Sequence, residues 1–82
     1  MIAKTRLIEA IDHALSGKWR DAHEIVQQDE ESELACWIHA VLHHQEGDLP
    51  NARYWYARCG RKLRKGISPE NELREIRSAL KG

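Results

Sequence analysis

The chain has 82 residues, enough for one small domain (residues 1–82), and its 41% hydrophobic content allows only a thin core. Thirteen basic residues balance thirteen acidic ones, which excludes a general nucleic-acid binder or a polybasic membrane binder, since either carries an excess of Lys and Arg. Two cysteines are too few for a disulfide scaffold and lack zinc-finger spacing, so reduced thiols are expected.

Breakers divide the chain into five helical stretches. Residues 2–16 place Leu7, Ile8, Ile11 and Leu15 at helical spacing and end at Gly17. Residues 18–28 carry Trp19, Ala22, Ile25 and Val26 on one side. The acidic run Asp29, Glu30, Glu31 and then Ser32 supply caps and favourable charge at the next helix start. Residues 34–46 are apolar on most sides and stop at Gly47. Asp48 caps a fourth helix with Pro50 in its first turn, predicted to run to about Lys65. Ser68, Pro69 and Glu70 begin a last helix with a thin stripe of Leu73, Ile76 and Leu80. No segment alternates with period two, so no strand is predicted. The longest apolar run, residues 35–38, falls far short of the ~18 residues that span a bilayer. Glu9 and Asp12 interrupt any signal-peptide core. The expected location is the cytoplasm, with no membrane contact.

A shift of thirty residues superposes Ile8 on Ile38, Ala10 on Ala40, His13 on His43, Gly17 on Gly47 and Ala22 on Ala52. Each unit reads as helix, glycine turn, helix. Two antiparallel helices joined by a short turn approach closely only where both present small side chains, which pairs Ala10 with Ala22 and Ala40 with Ala52. The pattern resembles a tetratricopeptide-like repeat over residues 7–59, carried by Ala40, the Gly47-Asp48-Leu49 turn, Ala52 and Tyr56, and also by Ala10, Gly17 and Ala22. The period is thirty rather than the family's thirty-four, and the closing proline is missing. Residues 37–56, WIHAVLHHQEGDLPNARYWY, resemble a motif of small bacterial and fungal proteins of that type. The resemblance implies a fold and no reaction. The expected architecture is all-α: hairpin one at 2–29, hairpin two at 32–65 and a capping helix at 68–81.

Four features bear on chemistry. Cys36, His39 and His43 stand at i, i+3 and i+7 on one helix face that Glu46 continues, and imidazole and thiolate are good transition-metal ligands. His23 offers a fourth. No closed four-ligand spacing is present, so the expectation is a polar cluster of His39, His43, Glu46 and Tyr56 with no metal and no cofactor. The same face, with Tyr54, contains residue types able to do acid–base work, but nothing supplies a nucleophile, a phosphate loop or a deep pocket, and no enzyme is read from it. Tyr54, Trp55 and Tyr56 point about 100° apart on a helix, so Tyr56 faces inward and Tyr54 or Trp55 meets a partner or lies under the last helix. Residues 1–48 sum to −6, whereas residues 49–66 hold six cations (Arg53, Arg58, Arg61, Lys62, Arg64 and Lys65) and no anion. A basic stretch of this kind suits phosphate or RNA, a helix-end dipole, or pairing with the acidic half of a second copy. Cys36 and Cys59 are equidistant from the Gly47-Asp48 turn and should face each other as reduced, buried thiols.

The function these readings favour is protein–protein interaction, through a partner or a homodimer. The first helices of the hairpins would build the groove, with Leu7 and Ile11 on one and Trp37, Val41 and His44 on the other. Tyr54 and Trp55 extend that candidate surface. A metal or acid–base site on His39, His43 and Glu46 is the alternative, and anion binding by the basic stretch a second one.

Overall fold

Three capping residues set where the second half of the chain turns helical. Ser32 accepts a hydrogen bond from the Ala35 N–H, Asp48 from Asn51 and Ser68 from Asn71, and Pro50 and Pro69 occupy first turns, where no N–H is needed. In the computed structural model, which describes residues 2–82, these caps open α3 (Glu33–Gln45), α4 (Leu49–Arg58) and α5 (Pro69–Lys81). Helices α1 (Lys4–Leu15) and α2 (Trp19–Val26) precede them. The protein is all-α, and the described residues contain no strand.

The two hairpin turns share one geometry thirty residues apart. Gly17 and Gly47 have φ of +82° and +87°, a conformation that strains any L side chain. The N–H of the following residue closes each turn, Lys18 on the His13 carbonyl at 2.8 Å and Asp48 on the His43 carbonyl at 2.9 Å. Helix α1 packs on α2 and α3 on α4, and α3 also lies against α1 and α2. Ala10, Ala22, Ala40 and Ala52 are all fully buried at these contacts, as small residues must be where helix backbones approach.

Two expectations need correction. Helix α4 ends at Arg58, not near Lys65. Gly60 adopts a φ of +74° and the Arg61 N–H turns back onto the Tyr56 carbonyl at 2.8 Å, which closes the helix. Residues 61–68 then return the chain to α1 and α3, against which α5 packs. The second correction follows from that route. The groove between the first helices of the hairpins is filled by the chain itself. Leu7, Ile11, Trp37 and Val41 are buried in one core with Leu73, Ile76 and Leu80, and His44 is half-buried, so the four buried residues cannot receive a partner. The last helix covers this face because its own apolar stripe needs burial as much as the groove does.

Polar bonds fix the seat of α5. The buried Glu72 carboxyl accepts from Trp37 Nε1 at 2.7 Å and from the Tyr56 hydroxyl at 2.6 Å, and Arg64 lies 3.7 Å away. Burial and that carboxyl both push the Tyr56 phenol up, which keeps it a donor. Gln45 Nε2 donates to the Ala14 carbonyl of α1 and to Glu70 of α5, and Arg77 donates to Asp12 at 2.7 Å.

Two substitutions test this packing. Ala52→Leu overfills the α3–α4 contact and should lower stability by about 1–3 kcal/mol in urea unfolding, whereas Ala79→Leu on the exposed side of α5 should change it by less than about 0.5 kcal/mol. Glu72→Leu roughly keeps the volume but removes both acceptor oxygens, leaving the buried Trp37 indole N–H and Tyr56 hydroxyl unpaired at a cost of about 1–3 kcal/mol. Equal stability of either variant and the parent would contradict the seat described for α4 or α5.

Candidate functional site

The polar side chains of α3 that face α2 and α4 converge on one point. His39 and His43, one turn apart, stack with ring centroids 4.9 Å apart, and both are buried. His23 reaches them from α2, its ring edge-on to His39 at 4.7 Å and to His43 at 5.3 Å. The Nε2 atoms of His23 and His39 are 3.0 Å apart, and one ligand nitrogen from each of the three rings lies within 4.8 Å of the others. Two indoles close the cluster. Trp19 stacks on His23 at 4.7 Å and Trp55 on His39 at 4.0 Å. Trp19 is held in place by donating Nε1–H to the Leu42 carbonyl at 2.7 Å.

Glu46 orients the third histidine. Its carboxylate lies 2.7 Å from His43 Nδ1. An ionised carboxylate only accepts, so Nδ1 carries the proton and the lone pair of neutral His43 sits on Nε2. The Asn51 amide lies 3.4 Å from that Nε2 and can donate to it. His39 is held neutral: burial, then the neighbouring His23 and His43, push it down to about 3. His23 is lowered by burial first and by His43 second.

Of the residues predicted for this face, His39, His43 and Glu46 are brought together, and His23 joins them. Tyr56 does not. It is one helical step past Trp55 and turns away to Glu72. Tyr54 is 57% exposed and touches Trp55 only edge-on. Cys36 leaves the ligand set as well. Its thiol donates to the Trp55 carbonyl and lines a different cleft with Cys59. Burial, with Cys59 beside it, pushes the Cys36 thiol up to about 12, so both cysteines remain free, unreactive thiols. The sequence reading did not anticipate the Trp19 and Trp55 lids or the Glu72 anchor. Glu72 stands four residues before Ile76 and eight before Leu80, on the apolar stripe of α5, and a carboxyl at that spacing was the available signal. His13 of the first unit, the counterpart of His43, stays half-buried, 3.5 Å from Glu9.

No family model, curated protein or solved structure matches this chain. No helix among the described residues is long and apolar enough to cross a membrane.

The buried histidines give stability a pH dependence. In the unfolded chain His39 takes a proton near pH 6.5, whereas the folded chain refuses it until about pH 3. Acid therefore favours unfolding. The stability is fully present above pH 6.5 and declines as the pH falls, by at most about 1.4 kcal/mol per pH unit for one histidine. His23 adds a decline of the same sign. Urea unfolding between pH 7 and 5, above the range of the carboxylates, should show the slope, and His39→Gln should flatten it. An unchanged slope in that variant would place the proton linkage elsewhere.

Proposed function

We propose that this protein binds a divalent transition-metal ion through His23, His39 and His43. The observation that carries the reading is the convergence of three imidazole nitrogens from two hairpins within 4.8 Å. Zinc–nitrogen bonds of about 2.0–2.1 Å place the nitrogens of a tetrahedral site about 3.3 Å apart. The 3.0 Å separation of the His23 and His39 nitrogens is already near that value, and small side-chain rotations bring in the third. An all-imidazole set suits zinc and its late first-row neighbours rather than calcium or magnesium.

The surroundings match what such a site needs. Metal binds the neutral imidazole, the form in which burial holds His23 and His39. Glu46 on His43 Nδ1 is the outer carboxylate that fixes a ligand's tautomer and raises its basicity. The indole lids restrict water on both sides. The acid–base alternative draws less support from the same facts. A histidine with a pKa of about 3 is a weak base at neutral pH. One ion would join α2 of the first hairpin to α3 of the second, so binding should stabilise the fold.

Calorimetric titration of metal-free protein with zinc tests the reading. One equivalent should bind, and unfolding at a free zinc concentration one hundred times Kd should cost about 2.7 kcal/mol more than without zinc. His23→Gln and His39→Gln should each weaken binding by about tenfold or more, and Glu46→Gln by about 10–100-fold, while His44→Gln should leave it unchanged. Absence of binding, or an affinity indifferent to His23→Gln, would overturn the proposal.

A further inference from the structure

The six cations between residues 49 and 66 divide into two groups. Arg58 lies 3.8 Å from Glu31, Arg61 lies 3.8 Å from Glu33, and Arg64 pairs with Glu75 at 3.1 Å and approaches Glu72. Arg53, Lys62 and Lys65 have no ion pair or hydrogen bond to any described residue. These three converge on one open cleft of about 330 Å³, whose remaining walls are Tyr56, Ala57, Leu63 and Arg61. Glu31 and Glu33 of the acidic half and Glu72 and Glu75 of α5 thus lie beside three of the arginines, and the other three cations surround a single apolar-walled cleft.

We propose that this cleft binds a small phosphomonoester carrying a flat apolar or aromatic group. Three uncompensated cations around one opening match a doubly charged anion better than a single carboxylate. Arg53 offers a planar fork for two oxygens, and the two lysines add mobile point charges. The side chains of Ala57 and Leu63, laid over the buried Tyr56, form the surface on which the apolar group rests. The volume lies at the lower end of the range for small-molecule sites and holds one such group. A single-stranded nucleic acid fits less well. It needs a continuous basic track and exposed stacking rings, whereas three of the arginines are paired, Trp37 lies 3.4 Å beneath the Arg61 guanidinium and Trp55 covers His39. Among the described residues, Tyr54, 57% exposed, is the one Trp or Tyr that is exposed.

The site is independent of the histidine cluster, and its test uses metal-free protein. Backbone amide shifts are followed while phenyl phosphate, inorganic phosphate or a short single-stranded RNA is added. Phenyl phosphate should give saturable shifts confined to residues 53, 56–57 and 61–65, with an affinity about tenfold or more above that of inorganic phosphate. The double variant Lys62→Gln/Lys65→Gln should weaken both ligands about tenfold or more, whereas Leu63→Ser should weaken phenyl phosphate alone. All three positions lie outside regular helices, so the fold is expected to survive, as the unchanged remainder of the spectrum would verify. Failure of phenyl phosphate to saturate, equal affinity for both phosphates, or tighter RNA binding with shifts spread over Arg58 and Arg64 would each overturn the assignment.

Discussion

Helix α3 has neighbours on every side, and most of the structure follows from that. Nine of its thirteen residues are buried, among them two histidines and a tryptophan with a polar nitrogen. A surrounded helix has little water to satisfy such groups, so they need partners within the protein. Trp37 finds Glu72 on α5, His39 finds His23 on α2, and His43 finds Glu46 at its own C-terminal end. The helices around α3 are thus held by polar bonds as well as by apolar burial, and His39 remains neutral because charging it inside this ring of neighbours is costly.

The fifth helix answers a problem that two hairpins alone do not solve. Their first helices leave Leu7, Ile11 and Val41 facing outward, and stacked repeats normally bury such a face against further units or a bound peptide. Here α5 takes that place. Its Leu73, Ile76 and Leu80 meet the groove, and Glu72 enters as the one carboxyl in an otherwise apolar stripe. Residue types that promise a binding groove are the same types that build an internal core. Which of the two they form depends on where the chain goes after α4, and the short loop opened by Gly60 decides it.

That distinction marks how far the sequence could be read. Local signals were legible because their physics is local. Gly17 and Gly47 needed a positive φ, Ser32, Asp48 and Ser68 capped the helices they precede, and the alanines thirty residues apart lay where backbones meet. The histidine face of α3 was legible for the same reason, since one helix fixes the relative positions of His39 and His43. The seat of His23 between Trp19 and His39 depends on how α2 crosses α3, a relation between elements that no spacing along the chain encodes. The inward direction of Tyr56 follows from helical rotation, but its partner does not, because Glu72 lies sixteen residues away on a helix whose docking no local spacing encodes. The charge split was visible, but its use was not. The −6 and +6 segments meet within one chain, through pairs such as Arg58 with Glu31, where the sequence alone equally allows them to meet between copies.

The run Tyr54, Trp55, Tyr56 shows how one helix sends neighbouring rings to separate surroundings. Consecutive side chains on α4 are rotated by about 100°, so the three rings enter three environments. Tyr54 goes to solvent, Trp55 onto His39, and Tyr56 onto Glu72 and the wall of the basic cleft. Helix α4 therefore stands between the histidine cluster and the cleft, with the half-buried Trp55 toward one and the buried Tyr56 toward the other. The ends of this helix are fixed by the Asp48 cap and the Gly60 turn. A short helix pinned at both ends and packed along α3 has little freedom to shift, so each of the three rings is kept in its own environment.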